Sequence, residues 1–399
     1  MKKILALILA LVMVFALAAC GSSSAPAAAP AANDAPAAAP AANDTPAADA
    51  GKPVKIGVLV SDVSGEEALG FRSYYENYIA PNYNVTFTYT EQLEDAAAEK
   101  AAIEKFAAQG YDAVLSLSAS DRTTQIETCA ANNLYYAVVS GMLDDAQFEQ
   151  FKGNEYFVGQ IGPSMDTEFE AGYAMGKYFA DQGAKTVGIY GAFIPNPMHV
   201  YRTAGVLAGL GCTYGGASDK DAIAGQLFGD QGVDMSKVAC GDTQIIGYFQ
   251  GFGDTTFDEL FAIVGQQPDA FLSVGMATTF FADALNGAGI PYSDIDSFTS
   301  GNAANMADGT LAYLAGKYSS SIGPIFAATL NAVNGNPVRD AEGNALSISQ
   351  GYLVATDSET FDSIFNGDKG DSPIFSKDVL DTVIGSVSYD DFVKLVESK

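Results

Sequence analysis

The chain has 399 residues, of which 48 are acidic and 20 are basic, so its formal net charge is −28 at pH 7. A surface of this sign repels phosphate backbones, which argues against nucleic-acid binding. One histidine, four cysteines and no C-x-x-C pattern argue against a zinc site, and we expect no metal or cofactor. A chain of this length exceeds what one hydrophobic core usually supports, which predicts two lobes.

The N-terminus has the layout of a secretion signal. The basic tripeptide MKK precedes an uncharged apolar run over residues 4–19. This run is shorter than the roughly 20 residues that a membrane-spanning helix needs, and the basic start followed by an apolar segment is typical of a secretory signal. The segment LAAC, which ends at Cys20, resembles the lipobox of bacterial lipoproteins. The resemblance implies removal of residues 1–19, lipidation of Cys20, and a protein anchored to the extracytoplasmic face of the membrane.

A low-complexity segment separates this signal from the rest of the chain. Residues 20–52 are nearly all Ala, Pro, Ser, Asn and Asp, and the octapeptide AAAPAAND occurs twice. Such a segment lacks the large apolar side chains that a core requires, and its proline content favours an extended spacer. We therefore expect a disordered stalk.

The remaining cysteines have different expected roles. Cys129 falls in a helical pattern, which predicts a small core residue. Cys212 and Cys240 are expected outside the cell, where a disulfide is possible, and the sequence leaves open whether they pair.

Two pairs of motifs reveal an internal repeat. The β-rich motif KIGVLV reappears as TVGIYG, and GYDAVLS reappears as QPDAFLS. An amphipathic helix is predicted before GYDAVLS, at 96–109, and another before QPDAFLS, at 256–266. The spacing is longer in the second half because of a Gly- and Asp-rich stretch at about 215–241, which reads as an insertion.

The alternation of strands and helices predicts an α/β fold. The strand motifs are continuously apolar, as expected for parallel strands that are covered by helices on both faces. Two Rossmann-like lobes joined by a hinge leave a cleft at the carboxyl ends of their strands, where open α/β sheets bind ligands.

Six segments resemble type I periplasmic binding proteins, in the sugar-binding, ribose-like branch of ABC-importer receptors. They are KIGVLVSD, GYDAVLSLSASD, YFVGQIGPSMDTEFEAGYAMGKYF, HVYRTAG, ADGTLAYLAGKYSSSIG and SQGYLVATDSETFD, and the resemblance covers about 54–362. It implies an N-terminal lobe from 53–160 and about 303–334. It implies a C-terminal lobe from 161–302 and about 335–399.

Carried over by position, the resemblance implies a set of ligand-binding residues around the cleft. Its members are Ser61, Asp62, Phe71, Ser118, Asp121 and Ser140 in the N-terminal lobe, Phe193, His199, Arg202, Gly275, Ser300 and Asn302 in the C-terminal lobe, and Lys317 at the hinge. Asp62 and Asp121 also occupy positions at which a helix N-cap residue is expected. The family's charged sugar contacts at Ser140 and Gly275 are replaced here, whereas Arg202 is retained. Lys317 would favour a carboxylate or phosphate on the ligand.

These observations predict a solute-binding lipoprotein of an ABC importer that captures a sugar or sugar-like solute by hinge closure. Its expected partners are the solute, the permease subunits and, through the lipid anchor, the membrane; we expect a monomer. The chain lacks G-x-S-x-G, a P-loop and G-x-G-x-x-G, so we expect no enzyme. A nucleoside-binding lipoprotein, a receptor that feeds a signalling system and a structural surface protein remain as alternatives.

Overall fold

The computed structural model describes residues 52–192, 194, 196–253, 255–296 and 298–398. The predicted signal over residues 1–19, the lipidation site Cys20 and the stalk as far as residue 51 lie outside the described residues, as does Phe193. Within the described part of the chain, no helix is both long enough and apolar enough to cross a membrane.

The described chain alternates strands and helices. The strands are β1 (Val54–Leu59), β2 (Val85–Tyr89), β3 (Ala113–Ser116), β4 (Tyr135–Val138), β5 (Phe157–Gly162), β6 (Thr186–Tyr190), β7 (Thr213–Tyr214), β8 (Val238–Ala239), β9 (Gln244–Phe249), β10 (Ala270–Ser273), β11 (Tyr292–Ile295), β12 (Leu311–Gly316), β13 (Leu346–Ser349) and β14 (Leu353–Ala355). The α-helices are Glu66–Ser73, Ala80–Asn82, Ala96–Ala108, Arg122–Ala131, Asp145–Phe151, Met165–Asp181, Pro197–Gly209, Lys220–Asp230, Thr256–Val264, Ala277–Ala288, Ser300–Ala307, Gly323–Val333, Ser358–Gly367, Lys377–Leu380 and Tyr389–Glu397. A π-helical segment lies at Tyr74–Ile79, and 3-10 turns lie at Met235–Lys237, Ser319–Ile322 and Asp381–Val383.

Two six-stranded sheets form the centres of the two lobes. The N-terminal lobe contains the order β13-β5-β4-β3-β1-β2, and the C-terminal lobe contains β14-β12-β11-β10-β6-β9. The strands pair in parallel except for β14, which is antiparallel to β12. Every residue of β3 and of β10 is buried, as expected for strands with helices on both faces. The structure therefore confirms the predicted two-lobe α/β fold.

The two sheets correspond strand by strand, and an aspartate explains one repeated motif. The Oδ2 atom of Asp112 accepts a hydrogen bond from the backbone N–H of Lys55 at 2.8 Å. In the C-terminal lobe, Oδ2 of Asp269 accepts one from the backbone N–H of Lys185, also at 2.8 Å. Each carboxylate thus ties the start of the lobe's third strand to the start of its first, which is why the D-A dipeptide appears in both halves.

The chain crosses between the lobes four times. The first crossover joins β5 to the helix Met165–Asp181, the second joins β12 to the turn Ser319–Ile322, and the third joins β13 to β14. The fourth leads from the helix Ser358–Gly367, whose Phe361 lies in the core of the C-terminal lobe, to Phe375 in the core of the N-terminal lobe. The assignment of 303–334 to the N-terminal lobe is therefore wrong for β12, which lies in the C-terminal sheet.

The last part of the chain also differs from the predicted division. The assignment of 335–399 to the C-terminal lobe is wrong for β13, which pairs with β5. The final helix Tyr389–Glu397 buries Phe392 in the core of the N-terminal lobe. The difference at β12 arises because the second crossover follows β12 instead of preceding it, and the difference at β13 arises because each sheet takes its sixth strand after that crossover.

The predicted insertion forms a small excursion of the C-terminal lobe. Strands β7 and β8 pair antiparallel beside the helix Lys220–Asp230, apart from the six-stranded sheet. A disulfide joins Cys212 to Cys240 and closes the base of this excursion. Cys129 is fully buried, which confirms its predicted place in the core.

Two helices of the C-terminal lobe touch along their backbones. A Cβ atom on Gly172 would lie 2.0 Å from the carbonyl oxygen of Arg202, and one on Gly205 would lie 2.1 Å from that of Phe169. Any side chain at these positions would hold the helices apart. This close approach places the first turn of Met165–Asp181 beside the first two turns of Pro197–Gly209. As a result, Glu168 of the first helix lies next to Arg202 of the second.

We expect Gly172→Ala to lower the free energy of unfolding by about 1–3 kcal/mol, because the added methyl group forces the two backbones apart. The matched control is Gly225→Ala, which adds the same methyl group to the interior of the helix Lys220–Asp230, where no atom lies within 4 Å of the new Cβ. That control should stabilise the protein by roughly 0.5–1 kcal/mol. Urea unfolding measures both, and equal stabilities of the two variants would contradict the close approach.

Candidate functional site

A cavity of about 960 Å³ lies between the two lobes. Its wall is formed by residues that follow β1, β3 and β4 in the N-terminal lobe and β6, β9, β10 and β11 in the C-terminal lobe. These are the carboxyl ends of parallel strands, where open α/β sheets bind ligands. The volume is at the upper end of the range usual for small-molecule sites.

Most of the residues that the sequence singled out line this cavity. They are Ser61, Asp62, Phe71, Asp121, Ser140, His199, Arg202, Gly275 and Lys317. Ser118, Ser300 and Asn302 are not among the described residues of its wall, and Phe193 lies outside the described residues. The structure thus brings together side chains that are far apart in the sequence.

Ser118 contacts another side chain of the N-terminal lobe and does not face the cavity. Its side chain is fully buried, and its Oγ donates to the carboxylate of Glu99, which is also fully buried. The same carboxylate accepts from the backbone N–H groups of Ser120 and Asp121, each at 3.1 Å. Glu99 therefore holds the loop after β3 from beneath, and Ser118 belongs to that support.

Two of the remaining predictions fall in the first turn of the helix Ser300–Ala307. Ser300 is the first residue of this helix, and Asn302 is 1 % exposed. The carboxylate of Glu66, which belongs to the wall of the cavity, approaches this turn; it would lie 3.1 Å from a Cβ atom on Gly301. Glu66 therefore contacts the turn that contains both residues, while neither of the two belongs to the described wall.

Arg202 lies in the wall with its guanidinium group already engaged. Its Nε donates to Oε2 of Glu168 at 2.6 Å, and its Nη1 donates to the carbonyl of Val274 at 2.8 Å. Its Nη2 donates to the hydroxyl of Tyr352 at 2.6 Å, and that hydroxyl contacts both carboxylate oxygens of Glu168, at 3.1 and 3.0 Å. Sequence reasoning treated Arg202 as a donor fork for the ligand, whereas the structure shows it first as the centre of a polar network.

Burial and ion pairing have opposite effects on the pKa of Arg202. Burial alone disfavours the charge on Arg202, but Glu168 and Tyr352 outweigh it and raise the pKa of the guanidinium group. Burial raises the pKa of Tyr352, so its hydroxyl stays protonated and is able to donate to Glu168. The side chains of Arg202 and Glu168 are 7 % and 1 % exposed, so the ion pair is almost fully withdrawn from water.

Lys317 follows β12 at the second crossover and reaches into the cavity wall. Its Nζ lies 3.4 Å from Oε1 of Glu67 and 3.5 Å from Oγ of Ser140, both in the N-terminal lobe. The same Nζ lies 5.5 Å from the centre of the Phe71 ring, within the range of a cation–π contact. Lys317 therefore joins the crossover to the N-terminal lobe.

The two predicted aspartates at strand ends stabilise their own turns. Oδ1 of Asp62 accepts from the backbone N–H groups of Ser64 at 2.9 Å and Gly65 at 3.0 Å. Asp121 caps the helix Arg122–Ala131, because its Oδ1 accepts from the backbone N–H of Thr124 at 3.0 Å. Both carboxylates line the cavity as well, so the capping role and a place in the wall coincide.

The sequence did not single out several residues of this wall. Arg122 follows Asp121 directly, and its position at a strand-end turn was a usable signal. Glu168 and Tyr352 had no such signal, because their contact with Arg202 depends on how two helices and a crossover meet. Apolar side chains complete the wall, and the larger ones are Met142, Met165, Met198, Met276, Phe252 and Phe280.

The wall carries more negative than positive side chains. Its carboxylates are Asp62, Glu66, Glu67, Asp121, Asp144, Glu168 and Asp296, and its permanent cations are Arg122, Arg202 and Lys317. Across the described ranges, no group of three or more His, Cys, Asp or Glu side chains is arranged to hold a metal ion.

We expect Arg202→Ala to lower the free energy of unfolding by about 3–5 kcal/mol, because it leaves the carboxylate of Glu168 buried without its counter-ion. The double variant Glu168→Gln/Arg202→Ala should recover part of this loss, since it removes the unpaired charge. Lys177→Ala is the control. It breaks the exposed Lys177–Asp181 pair on the helix that carries Glu168, and it should change stability far less. Denaturant unfolding that gives Arg202→Ala and Lys177→Ala the same stability would contradict the buried network.

Comparisons with solved structures find the same architecture in several binding proteins. One similar structure is the periplasmic binding protein of the arabinose ABC transporter from Shewanella sp. ANA-3, bound to L-arabinofuranose. It has a TM-score of 0.54 and 16 % sequence identity, and the match covers 78 % of this chain and 95 % of that one. A solute-binding protein from Actinobacillus succinogenes 130z with bound D-allose has a TM-score of 0.57 and 13 % identity, covering 78 % and 99 %.

A third similar structure is a Caulobacter protein bound to myo-inositol, with a TM-score of 0.55 and 13 % identity, covering 80 % of this chain and 97 % of that one. No protein-family model matches the chain, and no curated protein sequence matches it. Identities this low establish the fold alone. The chain has the fold of the type I periplasmic binding proteins.

Proposed function

We propose that this chain is an extracytoplasmic solute-binding lipoprotein that captures a small polar solute, a sugar or sugar-like molecule, and delivers it to an ABC permease. The observation that carries the proposal is the cavity of about 960 Å³ between the carboxyl ends of two matching sheets. The sugars bound by proteins of the same fold support the solute class. The basic tripeptide and the segment that ends at Cys20 support export and a lipid anchor.

Solute capture by closure of the lobes is possible because both lobes contribute residues to the cavity wall. Ser61 and Ser140 belong to the N-terminal lobe, and His199 and Gly275 belong to the C-terminal lobe. A solute that touches both sets binds the closed arrangement more strongly than the open one, so it raises the closed population. Rotation about the four crossovers is the hinge motion that this requires.

We propose binding and not catalysis because the charged groups of the wall stabilise the protein itself. Glu168 pairs with Arg202, and Asp121 caps a helix. His199 is 6 % exposed. A general acid or base must reach the reacting atom, whereas these groups are held by their own neighbours.

A nucleoside is the second candidate solute, and two phenylalanines favour it. Phe252 and Phe280 both line the cavity, and their ring centres are 4.1 Å apart. Phe252 is 43 % exposed, which is unusual for a phenylalanine that packs only against the protein. An aromatic face of this kind suits a planar base, and equally the apolar face of a sugar ring.

A thermal-shift screen of the purified protein against sugars, nucleosides, amino acids and small carboxylates tests the proposal. A solute that binds only the folded state raises the melting temperature, by an amount that grows with its concentration. We expect a shift from a sugar or sugar-like compound. A shift from nucleosides alone would favour the second candidate, and no shift from any compound would contradict solute capture.

We expect Phe252→Ala to weaken binding of the solute found in this screen by roughly 0.5–1.5 kcal/mol, because the ring faces the cavity. Phe261→Ala is the matched control: Phe261 is 55 % exposed, belongs to the same lobe and is absent from the wall of the cavity. Isothermal titration calorimetry compares the two variants. Equal affinities would mean that the solute does not reach this part of the cavity.

A further inference from the structure

Arg122 is a cation in the cavity wall that has no carboxylate partner. It is the first residue of the helix Arg122–Ala131. Its Nη1 donates to the carbonyl of Met142 at 2.9 Å and its Nη2 to the carbonyl of Ser140 at 2.7 Å. Its Nε is buried and has no acceptor among the described residues, and none of the ion pairs in the described part of the chain includes this guanidinium group.

This is an unfavourable place for a positive charge. Burial disfavours the charged form and lowers the pKa of Arg122. The N-terminus of a helix carries a partial positive charge, so the dipole of Arg122–Ala131 opposes the guanidinium group as well. Two backbone carbonyls accept from it, but five N–H groups are available on an arginine. Nε is the buried donor among them that has no acceptor in the described chain.

Lys317 approaches the same loop from the other side. Its Nζ lies 3.5 Å from the side-chain oxygen of Ser140, while Arg122 donates to the backbone oxygen of that residue. Gly141 has a φ of +70°, and a Cβ atom there would lie 3.8 Å from Nη2 of Arg122. With no side chain at this position, the guanidinium group stays uncovered on that side.

The two cations that contact Ser140 differ in their partners. Lys317 has Glu67 at 3.4 Å, whereas no described carboxylate lies within ion-pair distance of Arg122. The carboxylate of Asp121 precedes Arg122 in the sequence, but it accepts from the backbone N–H and the hydroxyl of Thr124, at 3.0 and 2.6 Å. The buried carboxylate of Glu99 raises the pKa of Arg122 from a longer distance, but burial lowers that pKa by more.

We propose that Arg122 and Lys317 form a subsite around Ser140 for an acidic group of the solute, a carboxylate or a phosphate. This inference rests on the proposed function and makes it narrower, because it names a sugar acid or sugar phosphate as the solute in place of a neutral sugar. A guanidinium group matches such oxygens with paired N–H donors, and charged hydrogen bonds of this kind are stronger than neutral ones. The acidic group also supplies the counter-charge that Arg122 lacks.

Matched pairs of compounds test the subsite. Isothermal titration calorimetry of the protein is performed with D-galactose and D-galacturonate, D-glucose and D-glucuronate, and D-ribose and D-ribose 5-phosphate. We expect the acidic member of at least one pair to bind about 10-fold or more tightly than its neutral partner. The uronates and the phosphate distinguish a carboxylate site from a phosphate site.

Two variants separate ligand contact from support of the loop. Arg122→Gln should weaken binding of the acidic compound by about 10- to 100-fold and leave the neutral partner within about threefold. A purely structural role would weaken both members of a pair equally. Lys105→Gln is the control, because it removes the same charge from an exposed position on the helix Ala96–Ala108.

The outcomes also distinguish this inference from the proposed function. If a neutral sugar binds as tightly as its acid, or if Arg122→Gln leaves the ratio of the two affinities unchanged, the acidic subsite is wrong while solute capture stands. If none of these compounds binds, the acidic subsite is wrong, and solute capture is decided by the wider thermal-shift screen.

Discussion

The cleft depends on the buried ion pair between Glu168 and Arg202, with the hydroxyl of Tyr352 bonded to both. Glu168 follows the first crossover and Tyr352 lies within the third, so one network fastens two crossovers to the C-terminal lobe. The second crossover is fastened to the other lobe, where Lys317 meets Ser140. Because separating a buried ion pair is costly, a rotation of the lobes carries Glu168 and Tyr352 with the C-terminal lobe. The contacts of Lys317 are longer, at 3.4 Å to Glu67 and 3.5 Å to Ser140.

Much of the fold was predictable because it follows from local patterns that occur twice. The aspartate of GYDAVLS and QPDAFLS accepts a hydrogen bond from the backbone at the same place in both lobes, and this shared contact explains why the motif is repeated. The division between the lobes was predicted less well. β12 and β13 are short apolar runs in a region where the chain changes lobes twice, and periodicity does not reveal which sheet a strand joins. Pairing over long sequence distances decides that.

The site was predictable where it lies next to strand ends and not where it depends on packing between elements. Ser61 and Ser140 follow β1 and β4, so topology alone brings them to the cavity. The partner of Arg202 was not predictable, because it depends on the glycine contacts between two helices. Arg122 was missed since an arginine at a helix start reads as a solvated residue, whereas the structure surrounds it with Ser140 and Met142.

Small-angle X-ray scattering of the purified protein, with and without saturating solute, tests the central claim most directly. The account holds that both lobes contact one solute in the cavity between them, and that rotation about the four crossovers brings them together. It predicts that the radius of gyration decreases when the solute is added and that the decrease saturates with binding. An unchanged radius of gyration at full occupancy would contradict capture by hinge closure.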